Sequence, residues 1–248
     1  MEEQLLKPGE RINQLFSTDI KIIQNREVFS YSVDSVLLSR FPRFPKRGLI
    51  VDFCAGNGAV GLFASSRTQA RIISVEIQER LADMAERSVQ LNGLEEQMRV
   101  ICDDLKNIPA HIQGSKVDMI LCNPPYFKVD PYSNLNESEH YLLARHEIAT
   151  NLEEICRSAQ SILKSNGRLA MVHRPDRLLD ILDMLQRHNL APKRLQFVYP
   201  KREKEANMLL IEAIKDGSTS GFKVLPPLIV HNDDGSYTPE IQEIYYGS

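Results

Sequence analysis

The residues of this sequence best suited to chemistry form one tetrapeptide, Asn123-Pro124-Pro125-Tyr126. Each proline fixes its φ angle and removes a backbone donor, so the turn is stiff and presents carbonyl acceptors. The Asn123 side chain and the Pro124 carbonyl can accept hydrogen bonds from the N–H groups of an amide or an aromatic amine, which raises the electron density on that nitrogen. Tyr126 offers a stacking face for a planar group. The tetrapeptide therefore indicates chemistry on a planar nitrogen.

The position of this diproline matters more than its presence. A second diproline, Pro226-Pro227, follows a leucine and lies near the end of the chain, where it indicates only a rigid turn. The first one directly follows a short apolar run, Val117–Cys122, which is typical of a buried strand.

A second candidate site is the loop from Asp52 to Gly58, Asp-Phe-Cys-Ala-Gly-Asn-Gly, which separates an apolar run from a helical pattern. Ligands of open α/β sheets bind beyond the carboxyl ends of the strands, and glycines there let the backbone approach the ligand. The next apolar run ends in Glu76, whose carboxylate can accept hydrogen bonds from both hydroxyls of a ribose. We expect an adenosine here. The alternative is that Gly56 and Gly58 only shape a tight turn.

The acidic residue before the glycines separates this loop from phosphate-binding loops. Gly56, Gly58 and Gly61 match the dinucleotide pattern Gly-x-Gly-x-x-Gly, but no Walker lysine is present. Asp52 would repel a phosphate and attract a cationic amino-acid group. After the third apolar run, Asp103 or Asp104 could reach an adenine amine, with Asp104 preferred; either could equally be a solvated residue of a strand-end turn.

The elements that must position these residues alternate between short apolar runs and helical patterns. This rhythm predicts an α/β fold that is Rossmann-like, with a seven-stranded, mostly parallel sheet and helices on both faces. The predicted strands are Leu49–Phe53, Arg71–Glu76, Met98–Cys102, Val117–Cys122, Gly167–His173, Leu195–Tyr199 and Met208–Ile214. The predicted helices are Ala59–Ser66, Gln78–Leu91, Leu152–Leu163 and Asp176–His188.

Three segments are predicted along the chain. Residues 1–47 form an N-terminal lead that contributes to the site, residues 48–215 form the catalytic core, and residues 216–248 form a tail. The core contains a polar active-site insertion over residues 127–147. In the tail, the run Leu228–Val230 and the Asp234-Gly235 turn predict a hairpin.

Composition restricts the class of protein. The 248 residues are 42% hydrophobic and 25% charged, which is ordinary for a globular domain. The four cysteines are widely spaced, so we expect reduced core residues and no zinc site. The N-terminus is acidic and no apolar run approaches the roughly 18 residues of a membrane span, so we expect a soluble cytoplasmic protein. With a net charge of −3, any nucleic-acid contact must come from local patches.

Together these motifs resemble class I S-adenosylmethionine-dependent methyltransferases of the amino-group type, over roughly residues 48–215. Within that group the sequence is similar to bacterial enzymes that methylate N6 of the adenine next to the anticodon of a valine tRNA. The stretches Phe29–Leu38 and Ala144–Glu147 and the tail carry this closer resemblance.

The resemblance implies S-adenosyl-L-methionine as cofactor, no metal, and Asn123, Pro124, Pro125 and Tyr126 as catalytic residues. Asp34 would close over the methionine end of the cofactor. Alternatively, Ser32 or Asp34 caps a helix over Ser35–Phe41. The implied cofactor-binding residues are Asp34, Asp52, Cys54, Ala55, Gly56, Asn57, Gly58, Glu76, Ile77, Asp103, Asp104, Leu105 and Asn123.

The partner implied is a tRNA whose flipped adenine enters between Tyr126 and the cofactor. Basic residues around the entrance would hold the rest of the RNA, although short charge runs are often only solvated loops. The RNA-binding candidates are Tyr126, Lys128, Arg145, His146, Lys201, Arg202 and Lys204. The oligomeric state stays open between a monomer and a weak dimer.

Other substrates suit the same tetrapeptide. Protein glutamine methyltransferases of the release-factor type act on a side-chain amide, but they generally carry a helical domain before the core, and the lead of residues 1–47 is too short for it. Ribosomal-RNA or DNA amino-group modification also fits. A non-catalytic scaffold is disfavoured because it would not need Asn123 and Tyr126.

Overall fold

A hairpin precedes the sheet that carries the candidate site. The computed structural model of the protein describes residues 2–15, 17–25, 32–112, 116–125 and 152–247. Strands β1 (Glu10–Leu15) and β2 (Ile20–Asn25) pair antiparallel and are followed by helix α1 (Val33–Leu38). The sequence had predicted no strands in this lead. A short helix was expected there as one alternative, over Ser35–Phe41, and α1 begins and ends earlier.

The seven strands predicted for the core are present, and they form one sheet. The described residues place them in the order β5-β4-β3-β6-β7-β9-β8, with β9 antiparallel to both of its neighbours and the other pairs parallel. Their bounds are β3 Leu49–Phe53, β4 Arg71–Glu76, β5 Met98–Cys102, β6 Val117–Cys122, β7 Leu163–His173, β8 Leu190–Tyr199 and β9 Met208–Lys215.

Two strands begin before their predicted starts. Strand β7 begins at Leu163 instead of Gly167, because Leu163 already pairs with Val117 of β6. Strand β8 begins at Leu190 instead of Leu195, although Pro192 lacks a backbone donor. The pairing of β8 with β9 shifts register between Pro192 and Arg194, and this irregularity accommodates the proline within a strand.

Helices cover both faces of the sheet. The described helices after α1 are α2 (Ala59–Ser65), α3 (Glu79–Leu91), α4 (Ile108–Ile112), α5 (Leu152–Ile162), α6 (Leu178–Arg187) and α7 (Pro239–Tyr246). Along β3, Ile50 packs in one apolar core with α1 and α2, whereas Leu49 and Val51 pack in a second core with α4 and α5. Burial on both faces explains why the strand runs are continuously apolar.

The tail combines the predicted turn with elements that were not predicted. Strand β11 (Leu228–Ile229) lies within the predicted run Leu228–Val230, whereas strand β10 (Lys223–Val224) was not predicted, and both extend the sheet by pairing parallel with β8. The predicted hairpin is present but short: a single antiparallel bridge joins His231 to Tyr237. Helix α7 follows it, and Ile241 of this helix is fully buried in the core of the first face.

The cysteines only partly follow the prediction of four core residues. Cys122 and Cys156 are buried and Cys54 is half-buried, but Cys102 is exposed because it ends β5 at the edge of the sheet. None of the described helices is long and apolar enough to cross a membrane.

A charged network fastens the N-terminal hairpin to α3. The Arg87 guanidinium donates to both Glu10 carboxylate oxygens at 2.6 and 2.8 Å and to Asp83 at 2.6 Å. The side chains of Arg87 and Glu10 are only 11% and 2% exposed. For Glu10 and Asp83, burial raises the pKa, but the hydrogen bonds and charge of Arg87, with further hydrogen bonds from Lys7, outweigh it and leave both pKa values lowered.

Replacing this arginine should destabilise the protein in a pH-dependent way. We expect Arg87→Ala to lower the free energy of unfolding by about 3 kcal/mol at pH 7, because it leaves the buried Glu10 carboxylate without its cationic partner. The folded-state pKa values of Glu10 and Asp83 lie below the unfolded ones, so their contribution is present above about pH 4 and is lost at lower pH. Denaturant titrations at pH 7 and pH 3 measure both effects.

The matched control is Arg187→Ala, whose partner Asp183 lies in the same helix and whose side chain is 67% exposed. This exposed pair should contribute about 0.5 kcal/mol or less. Equal losses in the two variants would contradict a special role for the Arg87 network.

Candidate active site

The strand register brings the predicted site residues to one edge of the sheet. Phe53 pairs with Val75 of β4 and with Cys122 of β6, and Glu76 pairs with Cys102 of β5. The carboxyl ends of four parallel strands therefore lie side by side. The segments that leave this edge are the Cys54–Gly58 loop, the Ile77-Gln78 turn, the Asp103-Asp104 turn and Asn123-Pro124-Pro125.

The loop after β3 adopts a backbone that favours glycine. The φ angles of Cys54, Gly56 and Gly58 are 55°, 56° and 84°, all in the left-handed region. At Gly58 a side chain would also meet Ala85 of α3, because an added Cβ would lie 3.0 Å from the Ala85 Cβ. The Gly58 N–H donates to the Ala55 carbonyl at 2.8 Å and closes the loop into a compact turn.

Glu76 joins this loop to the neighbouring strand. One carboxylate oxygen accepts the Gly56 N–H at 2.8 Å, and the other accepts the Gln78 N–H at 2.9 Å. The Gln78 side-chain nitrogen also lies 3.5 Å from the second oxygen, at the outer limit of a hydrogen bond. A carboxylate has about four acceptor sites, so Glu76 keeps capacity for further donors such as hydroxyl groups. Next to it, Ile77 has 45% of its surface exposed, which gives this edge an apolar face beside an acidic one.

Asp52 lies beneath the loop and has no exposed surface. One of its carboxylate oxygens accepts the Gly61 N–H of α2 at 2.9 Å, and the other has no hydrogen-bond partner among the described residues. Burial raises the pKa of Asp52 to about 7; the Gly61 N–H opposes the rise and the charge of Glu76 adds to it. Direct contact of Asp52 with a ligand stays a prediction, since its carboxylate here contacts the protein.

Gly61 completes the literal Gly-x-Gly-x-x-Gly pattern for a packing reason. A Cβ at this position would lie 2.8 Å from the Ser74 hydroxyl and 2.9 Å from the Met98 methyl carbon. The third glycine thus lets α2 approach β4 and β5 closely, and its N–H is used by Asp52.

The Asp103-Asp104 turn is held by its own hydrogen bonds. The Asp103 carboxylate accepts from Asn107 at 2.8 Å and contacts the His111 ring at 2.7 Å. The hydrogen bonds from Asn107, from His111 and from the Asp104 N–H lower the pKa of Asp103. Asp104 caps the following turn by accepting the Lys106 N–H at 3.0 Å, and Leu105 is buried. A role of either carboxylate towards adenine stays a prediction.

Asn57 points away from the loop surface and towards the N-terminal hairpin. Its side chain is fully buried, and its amide nitrogen donates to the Ile23 carbonyl of β2 at 3.0 Å. The lead therefore supports the loop from behind.

Asn123 is oriented by a residue that the sequence did not single out. The Asn123 side-chain nitrogen donates to the Ser35 hydroxyl of α1 at 3.1 Å, so the amide keeps its oxygen as an acceptor. Asp34 accepts the Ser35 N–H at 2.7 Å and also the Ser32 hydroxyl. Ser32 occupies the N-cap position, but its hydroxyl does not cap the backbone. The sequence signals for Ser35 were its place beside Asp34 and within the stretch Phe29–Leu38 that carried the closer resemblance.

Some of the remaining predicted site residues lie within the described part of the chain and others do not. Pro124 is buried and Pro125 half-buried, next to Asn123. Four predicted residues lie outside the described part of the chain: Tyr126, Lys128, Arg145 and His146. Among the described residues, no group of three or more His, Cys, Asp or Glu side chains could hold a metal ion.

The basic loop after β8 opens at the same edge of the sheet. Strand β8 is antiparallel to β9, which is antiparallel to β7, so β8 ends at the edge where β6 and β7 end. Arg202 and Lys204 are exposed, whereas Lys201 is half-buried and donates to the Asp233 carbonyl at 3.0 Å.

Solved structures of methyltransferases share this architecture. A predicted O-methyltransferase from Agrobacterium tumefaciens superposes with a TM-score of 0.68 at 22% identity, covering 87% of this chain and 96% of that one. A precorrin-6y C5,15-methyltransferase from Geobacter metallireducens GS-15 superposes with a TM-score of 0.56 at 14% identity, covering 78% and 94%. At these identities the likeness concerns the fold, and it confirms the predicted Rossmann-like class.

Curated relatives carry the name that the motifs had suggested. A tRNA1(Val) (adenine(37)-N6)-methyltransferase from Porphyromonas gingivalis (strain ATCC BAA-308 / W83) is 28% identical over 215 residues, covering 84% of this chain and 83% of that protein. A relative of the same name from Bacteroides fragilis (strain YCH46) is 28% identical over 171 residues, covering 68% and 70%. The resemblance drawn from the sequence is thus confirmed.

The region of the chain that matches a protein family includes most of the candidate site residues described above. Residues 19–189, more than half of the chain, match the family described as methyltransferase small domain. This range begins in the N-terminal hairpin and includes the glycine loop, Glu76, the Asp103-Asp104 turn and Asn123. The chain belongs to the methyltransferase small domain family.

Proposed function

We propose that this protein transfers a methyl group from S-adenosyl-L-methionine to the exocyclic N6 of an adenine in tRNA. The observation that carries the proposal is the strand register that sets Asn123-Pro124-Pro125 beside the glycine loop and Glu76. The curated relatives named as tRNA adenine methyltransferases support the choice of substrate. A cytoplasmic location and a tRNA partner follow from this substrate.

The described residues suit the proposed cofactor. The remaining acceptor sites of Glu76 would bind the two ribose hydroxyls, and Ile77 would contact the adenine ring. The positive φ angles of the loop let its backbone approach the ligand without a Cβ in the way. When bound, the cofactor supplies a methyl group on a positively charged sulfonium. Asp34 at the start of α1 and the partly unsatisfied Asp52 would balance the charge of its amino-acid end.

The protein's contribution to the reaction is to hold the amine. The Asn123 side-chain oxygen and the Pro124 carbonyl would accept the two N–H groups of the adenine amine, which raises electron density on nitrogen and orients its lone pair. The hydrogen bond from the Asn123 amide nitrogen to Ser35 would hold the amide with its oxygen towards the amine. Tyr126 would stack on the flipped adenine.

The RNA outside the pocket would be held by basic residues at the same edge. Lys128, Arg145 and His146 border the site in the sequence, and the exposed Arg202 and Lys204 lie in the β8–β9 loop. Phosphate contacts of this kind make binding fall steeply with salt.

The proposed reaction is tested by identifying the product. The purified protein is incubated with isotopically labelled cofactor and either total tRNA or release factors, and nucleosides and peptides are analysed by mass spectrometry. We expect label on N6-methyladenosine from tRNA. Label on glutamine with none on adenine would replace the proposed substrate by a protein amide, and label on neither would reject both.

Removing the amine acceptor should separate catalysis from cofactor binding. We expect Asn123→Ala to lower kcat by at least about 100-fold, in the range measured when one oxyanion-hole donor is removed. Affinity for S-adenosylhomocysteine should stay within about twofold, a change worth less than 0.5 kcal/mol. Ser35→Ala should have an intermediate loss of kcat, because the amide remains but loses its fixed orientation. Full activity of Asn123→Ala would be incompatible with this role.

Neutralising Asp52 should stabilise the ligand-free protein at alkaline pH and weaken cofactor binding. The folded-state pKa of Asp52 is about 7, above the ordinary value of 3.8 for an aspartate, so the folded state keeps a proton that the unfolded chain releases. Stability should therefore be highest below about pH 4 and fall as the pH rises to about 7. Asp52→Asn removes this fall, while Asn can still accept the Gly61 N–H.

Thermal unfolding between pH 5 and pH 8 checks this, since each kcal/mol moves the Tm of a chain of this size by about 2–4 °C. We expect the Tm of Asp52→Asn to exceed that of the wild type by an amount that grows from pH 5 to pH 7 and is largest, at several degrees, at pH 8. Calorimetry at pH 8 should show weaker binding of S-adenosylhomocysteine, because a negative charge is lost. The exposed Asp183→Asn is the control, and a parallel pH profile for Asp52→Asn and wild type would contradict the raised pKa.

A further inference from the structure

A histidine of α4 contacts the turn that follows β5. His111 is the fourth residue of this helix, and its Nε2 atom lies 2.7 Å from the Oδ2 carboxylate oxygen of Asp103. The two side chains are 39% and 28% exposed, so the pair lies at the surface of the protein and not in its core. Nothing in the sequence singled out His111, because eight residues separate it from Asp103.

Asp103 lies where the proposed cofactor would present its adenine ring. The Asp103 N–H donates to the Glu76 carbonyl at 3.1 Å, so this residue continues the pairing of β5 with β4 beyond Cys102. It therefore lies beside the turn that carries the exposed Ile77. With Glu76 on the ribose and Ile77 on the adenine ring, the Asp103 carboxylate would lie at the edge of that ring.

The hydrogen bonds of Asp103 leave acceptor capacity on the oxygen that His111 contacts. The Oδ1 oxygen accepts the Asp104 N–H at 2.7 Å and the Asn107 side-chain nitrogen at 2.8 Å. Among the described residues, Oδ2 contacts His111 alone. Each carboxylate oxygen has about two acceptor sites. One site on Oδ2 therefore remains for a donor from outside the protein, and the imidazole sets its direction.

The neighbouring Asp104 is held by a different set of contacts. Its Oδ1 oxygen accepts the Lys106 N–H at 3.0 Å, and its Oδ2 oxygen lies 3.6 Å from the Lys106 ammonium. Lys106 also pairs with Glu154 of α5 at 3.1 Å, and Leu105 between them is buried. The Asp104 carboxylate is thus directed to its own turn. These contacts favour Asp103 over Asp104, the residue preferred from the sequence, as the partner of an adenine amine.

The packing of α4 fixes the position of the imidazole. Ile108 and Ile112, three residues before and one residue after His111, are both buried in the second core. The Arg99 guanidinium of β5 donates to the His111 carbonyl at 3.2 Å, which ties the end of α4 to this strand. The ring therefore approaches Asp103 from a helix that is anchored on its other side.

An ionised carboxylate accepts hydrogen bonds but donates none, which makes the pair selective. The hydrogen bonds from Asn107, from His111 and from the Asp104 N–H lower the pKa of Asp103, so its carboxylate is ionised at pH 7. Adenine presents an amine at its C6 position, whereas hypoxanthine, its deaminated analogue, presents a carbonyl acceptor there. The carboxylate can bind the first base and opposes the second.

We propose that His111 is a positioning residue of the cofactor site, which holds the Asp103 carboxylate towards the exocyclic amine of the adenine in S-adenosyl-L-methionine. Asn107 fixes the other oxygen of the same carboxylate. In this role His111 acts through Asp103 and not on the reacting atoms. The inference rests on the cofactor of the proposed function and is independent of its RNA substrate.

Calorimetry with two cofactor analogues tests this role. We expect the wild type to bind S-adenosylhomocysteine at least about tenfold more tightly than S-inosylhomocysteine, because the second analogue leaves two acceptors facing each other. His111→Ala should weaken binding of S-adenosylhomocysteine about three- to tenfold, the range expected for one hydrogen bond, and should reduce the preference between the analogues. Asp103→Ala should remove most of the preference.

Two further variants separate positioning from a general structural effect. His111→Gln keeps a side-chain N–H donor near the position of Nε2 and should restore most of the preference. His188→Ala removes a histidine that follows α6 and precedes β8 at the opposite edge of the sheet, and it should bind both analogues like the wild type. Thermal unfolding of the ligand-free variants checks that each one is folded. An unchanged preference in His111→Ala would overturn the proposal, and so would an absent preference in the wild type.

Steady-state kinetics gives a second readout. His111→Ala should raise the KM for S-adenosyl-L-methionine by about the factor found in calorimetry. The kcat at saturating cofactor and the KM for tRNA should stay within about twofold, a difference worth less than 0.5 kcal/mol. A large fall in kcat with an unchanged KM for the cofactor would contradict a role at the adenine.

The two proposals fail in different ways. If the wild type methylates adenine in tRNA but His111→Ala keeps the wild-type preference between the analogues, the positioning role is rejected and the proposed function stands. If the wild type prefers S-adenosylhomocysteine but does not methylate tRNA, the RNA substrate is rejected, and calorimetry alone still tests His111. A wild type that binds neither analogue would reject both proposals.

Discussion

The pairing of β3 with β4 on one side and β6 on the other is the constraint on which the candidate site depends. Because side chains alternate along a strand, a shift of one residue in either pairing would turn Glu76 or Asn123 away from the glycine loop. The register that aligns Phe53 with Val75 and Cys122 is set by two apolar cores, one on each face of the sheet. The packing that forms the two cores therefore also sets the geometry of the candidate site.

The glycine loop depends on polar contacts that are expensive to bury. Glu76 holds the Gly56 N–H, and Asp52 holds the Gly61 N–H without exposed surface. An ionised carboxylate with an unsatisfied oxygen costs stability in a low-dielectric interior, and the raised pKa of Asp52 expresses that cost. A buried carboxylate of this kind beneath the loop proposed to bind the cofactor is the type of strained group that is often found at functional sites.

The lead and the tail complete the site from outside the repeating α/β unit. Through Asn57 and Ile23 the N-terminal hairpin supports the glycine loop, and through Ser35 helix α1 orients Asn123. Arg40 and Ser17 connect the same region to the last helix. One edge of the sheet therefore carries the proposed chemistry at the ends of β3 to β6 and the basic β8–β9 loop at the end of β8, with β7 and β9 between them.

By itself the sequence determined the bounds of β3, β4, β5 and β6 and the class of fold, because buried strands appear as local apolar runs and turns as local glycines and prolines. It missed the start of β8 because Pro192 indicates a break unless a neighbouring strand accommodates it. Only the tertiary structure decided that Ser35 contacts Asn123 across 88 residues, that Gly61 serves packing, and that the rings of residues 231, 237 and 245 stack. Such contacts join residues with no shared local pattern, and they exist only once the packed core fixes the distance between their elements.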